Sequence, residues 1–329
     1  MKKLMNGSET MLAESIAGFA TAHADIVVVG PANKYLRRRT LTPGKTALVS
    51  GGGSGHEPMH VGFIGQGMLD AACPGEVFTS PTPDQMVTAA EAVDTGGGCL
   101  FIVKNYEGDV MNFEMAVEMA SSPVEMLVIK DDVAIEDATH TTGRRGVAGT
   151  LIVEKMLGAA AERHADLAQL LDLGTKVNDV TRTMGVALTS CTVPAAGRPT
   201  LVLGEDEMEV GVGIHGEPGR RRAKLGKAQA IAAELVDTIL RDLGPRRGSE
   251  ALLFVNGYGA TPLMELYLMV DCASRILRGA GLTISHFLVG SYVTSIDMAG
   301  CSITVTLLDE ELRGLWDAPV RTAALRWGI

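Results

Sequence analysis

Short, almost wholly apolar runs alternate with amphipathic stretches through the first half of this 329-residue chain. Residues 25–29, 46–50, 99–104 and 125–130 read as strands, and 83–93, 110–120 and 150–161 as helices. A strand that is apolar on both faces needs helices above and below it, and strands alternating with helices are joined by crossovers. The pattern predicts a largely parallel, doubly wound sheet. It restarts near Gly185, with strands expected at 185–193, 208–215, 251–256, 283–295 and 302–308 and helices at 227–243 and 262–278. Thr261 is placed to cap the second of these helices, Pro262 to open it, and Gly279 and Gly281 to end it. The expected fold is therefore α/β: two α/β domains, residues 1–184 and 185–308, each a mixed or largely parallel sheet flanked by helices, followed by residues 309–329.

Composition narrows the function classes. A net charge of −10 repels phosphate backbones and argues against nucleic-acid binding. The one basic run, Arg220-Arg221-Arg222 with Lys224 and Lys227, reads as a solvated loop and helix start. No uncharged run is long enough to span a bilayer, and the Met-Lys-Lys start turns polar at once, unlike a signal peptide. Five scattered cysteines with no CxxC pair suit free thiols in a reducing cytoplasm.

Three strand ends carry chemistry. The stretch SGGGSGHEPMH at 50–60 contains H-E-x-x-H, the pattern of a helical zinc protease. That reading needs both histidines on one uninterrupted helical face, and the glycines before His56 and Pro58 after it oppose this. A phosphate loop would need Gly-Lys-Ser/Thr, whereas Gly55 is followed by His56-Glu57. What remains is a strand feeding a glycine turn, with His56 before a helix expected near Pro58, either as a ligand site or as a tight turn with a solvated histidine. At the second end, 99–104 leads into Asn105-Tyr106-Glu107-Gly108-Asp109, where Asp109 suits a helix N-cap and Lys104 a plain surface charge. At the third, Met208, Val210, Val212 and Ile214 share one face and Glu207, Glu209, Gly211, Gly213 and His215 the other. The two glycines there suit either close approach by a ligand or an edge strand ending in a turn. Asp131-Asp132 reads as a capped turn rather than a metal site.

These same segments resemble the dihydroxyacetone-binding subunits of dihydroxyacetone (glycerone) kinases. The likeness lies in 51–58, 104–109 and 213–219, and also in 72–83, Gly143-Arg144-Arg145-Gly146 and Trp316-Asp317-Ala318-Pro319. It runs from the first residues to the last, and it leans towards the type driven by the phosphoenolpyruvate-dependent phosphotransferase system rather than by ATP. The resemblance implies a homodimer whose C-terminal tail returns to the first domain. It implies that Gly53, Ser54, Gly55 and His56 line the substrate, that Lys104 contacts it, and that Asp109 bonds a hydroxyl. His215 matches the histidine that bonds covalently to the substrate carbonyl as a hemiaminal. His56, Asp109 and His215 are thus the expected catalytic residues. The expected product is dihydroxyacetone phosphate.

The chain carries no phosphate loop with lysine and no evident acidic cage for magnesium, so no metal or nucleotide is expected on it. Single-chain ATP-dependent relatives append a helical nucleotide domain, whereas this sequence ends at Trp327-Gly328-Ile329. Mg-ADP or Mg-ATP is therefore expected on a nucleotide-binding partner kinase subunit. Two other readings share the motifs: a ligand-sensing regulatory binding protein, and a kinase subunit for another short ketose such as erythrulose.

Overall fold

The computed structural model describes residues 2–135 and 143–329. Two compact units emerge: residues 1–129, 150–177 and 312–329 form the first, and 130–149 with 178–311 the second. The sequence suggests one cut near 185, but the second unit also claims 130–149. In the first unit α1 (Met11–Ala22) precedes β1 (Val27–Val29), β2 (Leu36–Arg38), β3 (Ala47–Ser54), β4 (Gly65–Gln66) and β5 (Ala71–Val77). Then come α2 (Pro83–Val93), β6 (Cys99–Lys104), α3 (Glu107–Met119), β7 (Val124–Ile129), α4 (Gly149–Glu162) and α5 (Leu167–Asp179). In the second, β8 (Thr181–Ala187), β9 (Glu207–Val210) and β10 (Arg221–Lys224) lead to α6 (Ala228–Leu243), β11 (Glu250–Gly257), α7 (Leu263–Gly279), β12 (Thr283–Gly290) and β13 (Gly300–Leu308). The chain closes with α8 (Glu310–Trp316), β14 (Val320–Thr322) and β15 (Arg326–Trp327).

Among the described residues, the first unit's main sheet runs β1-β2-β5-β3-β6-β7. Its centre, β5-β3-β6-β7, is parallel, and β1 and β2 add an antiparallel margin. Every residue of β3 and β6 is buried, which is why those runs read as apolar on both faces. Val49, Phe101, Val103, Phe113, Met86 and Ala90 pack one side of this sheet into a core. The helix α2 starts as its sequence dictates, with a Thr82–Gln85 capping box and Pro83 in the first turn. The strands β15-β14-β4 make a small separate sheet.

The second unit's sheet runs β10-β9-β8-β13-β11-β12 and is mostly antiparallel, with one parallel pair, β11–β12. Its core joins Leu253, Val255, Ile303 and Val305 of the sheet to Leu235, Ile239, Leu266 and Leu277 of α6 and α7. Several local expectations are corrected here. Pro262 is the N-cap position of α7, because the Thr261 hydroxyl is taken by Gly300 O at 2.6 Å and Gly300 N at 2.8 Å. The basic run is a strand, β10, not a solvated loop; Arg221 reaches Glu234 at 2.7 Å and Arg222 lies 3.6 Å from Glu207. Asp131 and Asp132 do form a capped turn: Asp131 accepts from Val147 N at 2.8 Å and Gly149 N at 2.7 Å, and Asp132 from Ala134 N at 2.8 Å. The five cysteines are free and buried.

Helix α4 is buried from Gly149 to Ala161 even though it carries the charged pair Glu154-Lys155. Its Gly158 sits against backbone: a Cβ there would meet Gly67 O at 2.3 Å and Met68 Cα at 2.4 Å. Alanine is the better helix former by about 0.8–1.0 kcal/mol. Overpacking against backbone costs about 1–3 kcal/mol, so the clash decides the sign. Gly158→Ala is expected to lower the urea unfolding midpoint, whereas Gly18→Ala in α1, where a Cβ meets nothing within 4 Å, is expected to leave it unchanged or raise it.

Candidate active site

The glycine run does not form a loop. It continues β3 to Ser54, with Gly51 opposite Cys73 and Gly53 opposite Gly75 on β5. Side chains are excluded for a specific reason. A Cβ on Gly52 would lie 2.3 Å from Lys104 Nζ, and one on Gly53 2.5 Å from Thr79 N. No helix begins at Pro58. Gly62 N bonds Pro58 O at 2.7 Å and Phe63 N bonds His60 O at 2.9 Å, closing short turns and a 3-10 segment, Val61–Phe63. The Glu57 carboxylate folds back on Gly55 N at 3.0 Å. His56 is buried and stacks on Phe78, ring centres 5.0 Å apart.

Lys104, at the carboxyl end of β6, is not a surface charge: it has no exposed area. Its ammonium donates to Gly51 O at 3.2 Å and to His60 Nε2 at 2.9 Å, and lies 3.7 Å from Asp109 Oδ2. Asp109 is not the N-cap of α3, a position Tyr106 holds; it sits in the first turn, where the positive end of the helix favours a carboxylate, and accepts from the Ser80 hydroxyl. Behind Lys104, His60 Nδ1 meets Glu154 Oε1 of α4 at 2.6 Å and Ser50 Oγ at 3.0 Å. Burial, then the charge of Lys104 and the proximity of His56, hold the His60 imidazole well below its usual range, so it is neutral. Burial also pushes the Glu154 carboxyl up to about 8, against the pull of Lys104. A small cavity of about 60 Å³ bordered by α1 residues Leu12, Ile16 and Phe19 also takes in Gly52, Gly53, Ser54 and His60.

His215 belongs to the second unit. The strand β9 ends at Val210, earlier than the sequence suggests, because Gly211 turns left-handed (φ +81°) and Arg220 N closes on Val210 O at 2.8 Å. The loop's apolar residues Val212 and Ile214 are buried, as their alternation implies. Glu217 braces the loop: it accepts from His215 N at 2.9 Å and its Oε1 lies 3.6 Å from His215 Nδ1 and 3.7 Å from Arg145. Burial raises the Glu217 carboxyl, but the hydrogen bond and charge of His215, then the charge of Arg145, outweigh it and hold the group at about 2. Arg145 is fixed in turn by Asp132 at 2.8 Å and by Gly211 O at 2.7 Å. A Cβ on Gly213 would meet the Glu217 carboxyl at 2.1 Å.

The first unit thus gathers Gly53, Ser54, Gly55, His56, Lys104 and Asp109 around one strand end, while His215 is organised by its own loop in the second. The sequence reading passed over Glu154 and Ser50, and met His60 only as half of a zinc motif. One signal was available for Glu154: a charged pair, Glu154-Lys155, inside an otherwise apolar helix.

The Dak1 domain family matches residues 17–324. The chain is 49% identical over 314 residues to the PTS-dependent dihydroxyacetone kinase 1, dihydroxyacetone-binding subunit DhaK, of Listeria innocua, covering 94% of this chain and 95% of that protein. It is 46% identical over 355 aligned positions to the PEP-dependent dihydroxyacetone kinase, dihydroxyacetone-binding subunit DhaK, of Escherichia coli K12, covering 100% of both. Among solved structures, the dihydroxyacetone kinase operon co-activator Dha-DhaQ matches with a TM-score of 0.90 at 33% identity, covering 94% of this chain and 97% of that one. With the family matched over nearly its whole length, this chain belongs to the Dak1 domain family.

Proposed function

We propose that this chain is the dihydroxyacetone-binding subunit of a phosphoenolpyruvate-dependent dihydroxyacetone kinase, holding the ketose while a partner subunit delivers the phosphoryl group. End-to-end similarity to two subunits of that name carries the reading. The buried Lys104–Asp109 pair, set over a strand cleared of side chains, supports it: such a pair offers a donor and an acceptor to a small polyhydroxylated ligand.

In this reading His215 captures the ketone. Glu217 beside Nδ1 favours the tautomer protonated there, leaving the Nε2 lone pair as nucleophile. The Nε2–carbon bond forms, the carbonyl π pair moves to oxygen, and that oxygen takes a proton as Nδ1 loses one. No atom leaves, so the chain gains the whole mass of one substrate. A polyol has no carbonyl to trap, a stronger discrimination than hydrogen bonds give against a near-isostere. A terminal hydroxyl then attacks phosphorus on a magnesium–nucleotide complex carried by the partner. His56 and Asp109 bond that hydroxyl and accept its proton. The same reading makes the protein a homodimer, a point that light scattering giving the mass of a single chain would remove.

A second reading, a ligand-sensing regulator, is favoured by the similarity to the co-activator. Retention of His56 and Asp109 beside the glycine strand supports turnover instead. Phosphorylation assayed with the cognate partner subunit separates the two, since a sensor binds ketose and makes no product. Running three- and four-carbon ketoses side by side separates dihydroxyacetone from erythrulose.

Intact mass spectrometry under native conditions after incubation with dihydroxyacetone is expected to show one ketose added per chain. His215→Ala is expected to abolish it and Glu217→Gln to diminish it. An unmodified parent chain would sink the covalent step. Asp109→Asn is expected to keep the adduct yet lose about 10²–10⁴-fold in turnover, the usual worth of a general base; equal loss of adduct would assign Asp109 to binding alone.

A further inference from the structure

The second histidine of H-E-x-x-H, His60, is fully accounted for by neither zinc nor a turn. It stands between two buried ionisable groups, Lys104 and Glu154, and the donors and acceptors along that line have one consistent assignment. An ammonium has hydrogens and no lone pair, so His60 Nε2, 2.9 Å from Lys104 Nζ, must be the acceptor. The ring proton therefore sits on Nδ1, aimed at Glu154 Oε1 at 2.6 Å. Ser50 agrees with that direction: Ile102 O, 2.7 Å away, can take its hydroxyl hydrogen, and the oxygen then offers lone pairs to His60 Nδ1 at 3.0 Å. Lys104 has three hydrogens. Gly51 O takes one and His60 Nε2 another, and the third is left for the side on which Asp109 Oδ2 lies, 3.7 Å off. That separation exceeds a hydrogen bond. That hydrogen is the one a ligand oxygen would accept.

We propose that His60 and Glu154 are positioning residues: a buried brace, anchored on α4, that fixes the tautomer of an imidazole and through it aims one N–H of Lys104 at the ketose. The inference rests on the function proposed above and deepens it. A lysine reaches its head group through four rotatable carbons, and holding it in one orientation without partners would cost about 2 kcal/mol of rotamer entropy. The brace supplies that order in advance. Glu154 Oε2 has no hydrogen-bond partner among the described residues, so the carboxyl is held through Oε1, beside His60 and Ser50.

The test joins a spectrum to kinetics. Nitrogen-15 NMR of the unliganded parent, labelled in its histidines, is expected to show His60 neutral and protonated on Nδ1 from pH 6 to pH 8. A ring protonated on Nε2, or an imidazolium, overturns the proposal, and this measurement needs neither ketose nor a variant. In turnover with the partner subunit, His60→Leu is expected to raise KM for dihydroxyacetone about tenfold or more with kcat changed less than about threefold. His60→Gln, whose amide can accept from Lys104 and donate to Glu154, is expected to restore KM to within about threefold of the parent. An unchanged KM in His60→Leu, or equal loss in both variants, overturns the proposal. If His60→Leu does not fold, the parent spectrum and the Gln variant decide. A parent that neither binds nor turns over dihydroxyacetone refutes the proposed function, and the spectrum still judges the brace.

Discussion

A lysine ammonium with no solvent-exposed area has to be compensated where it stands. Moving such an ion out of water costs several kcal/mol even after relaxation, so Lys104 persists only because its surroundings supply what water did. A backbone carbonyl, an imidazole lone pair and a carboxylate do so within 3.7 Å. Most of the local architecture follows. Gly52 must lack a side chain because the ammonium occupies its Cβ space, β3 must stay extended to present Gly51 O, and α3 must begin early enough to bring Asp109 into its first turn. A parallel sheet places all of this at the carboxyl ends of adjacent strands, β3 and β6, where open α/β sheets bind their ligands.

The second unit solves a different problem with similar means. There a half-exposed imidazole is held by its loop rather than by a sheet. Glu217 ties the loop through His215 N, Arg145 ties Glu217 by charge, and Asp132 ties Arg145. Burial pushes the Asp132 carboxyl up to about 6 despite its arginine, whereas Glu217 is held near 2, so the charge of Arg145 is shared between a carboxylate that is easily ionised and one that resists it. Two glycines keep the loop open, Gly211 by its left-handed backbone and Gly213 by leaving space for the Glu217 carboxyl.

Strand and helix periodicity was legible wherever an element is buried on predictable faces. Cys99–Lys104 and Pro83–Val93 coincide with their expected bounds, because a two-sided apolar run and a capping box are local signals. The misreadings share one cause. A helix expected at Pro58 and a cap expected at Thr261 each depend on a partner distant in sequence, Glu154 for His60 and Gly300 for Thr261, and the burial of Lys104, which its strand-end position left open, depends on His60 in the same way. A polar side chain that bonds across the fold looks, in one dimension, like a polar side chain that bonds to water.

Sequence alone determined the α/β class, the family resemblance and the residue types gathered at three strand ends, because periodicity, glycine placement and motif spacing are written along the chain. Only the tertiary structure decided that Lys104 is buried, that His60 meets its ammonium, and that Glu154 on α4 stands behind His60. The charge state of a group depends on what surrounds it in space, and 94 residues of chain separate His60 from the carboxyl that holds its proton in place.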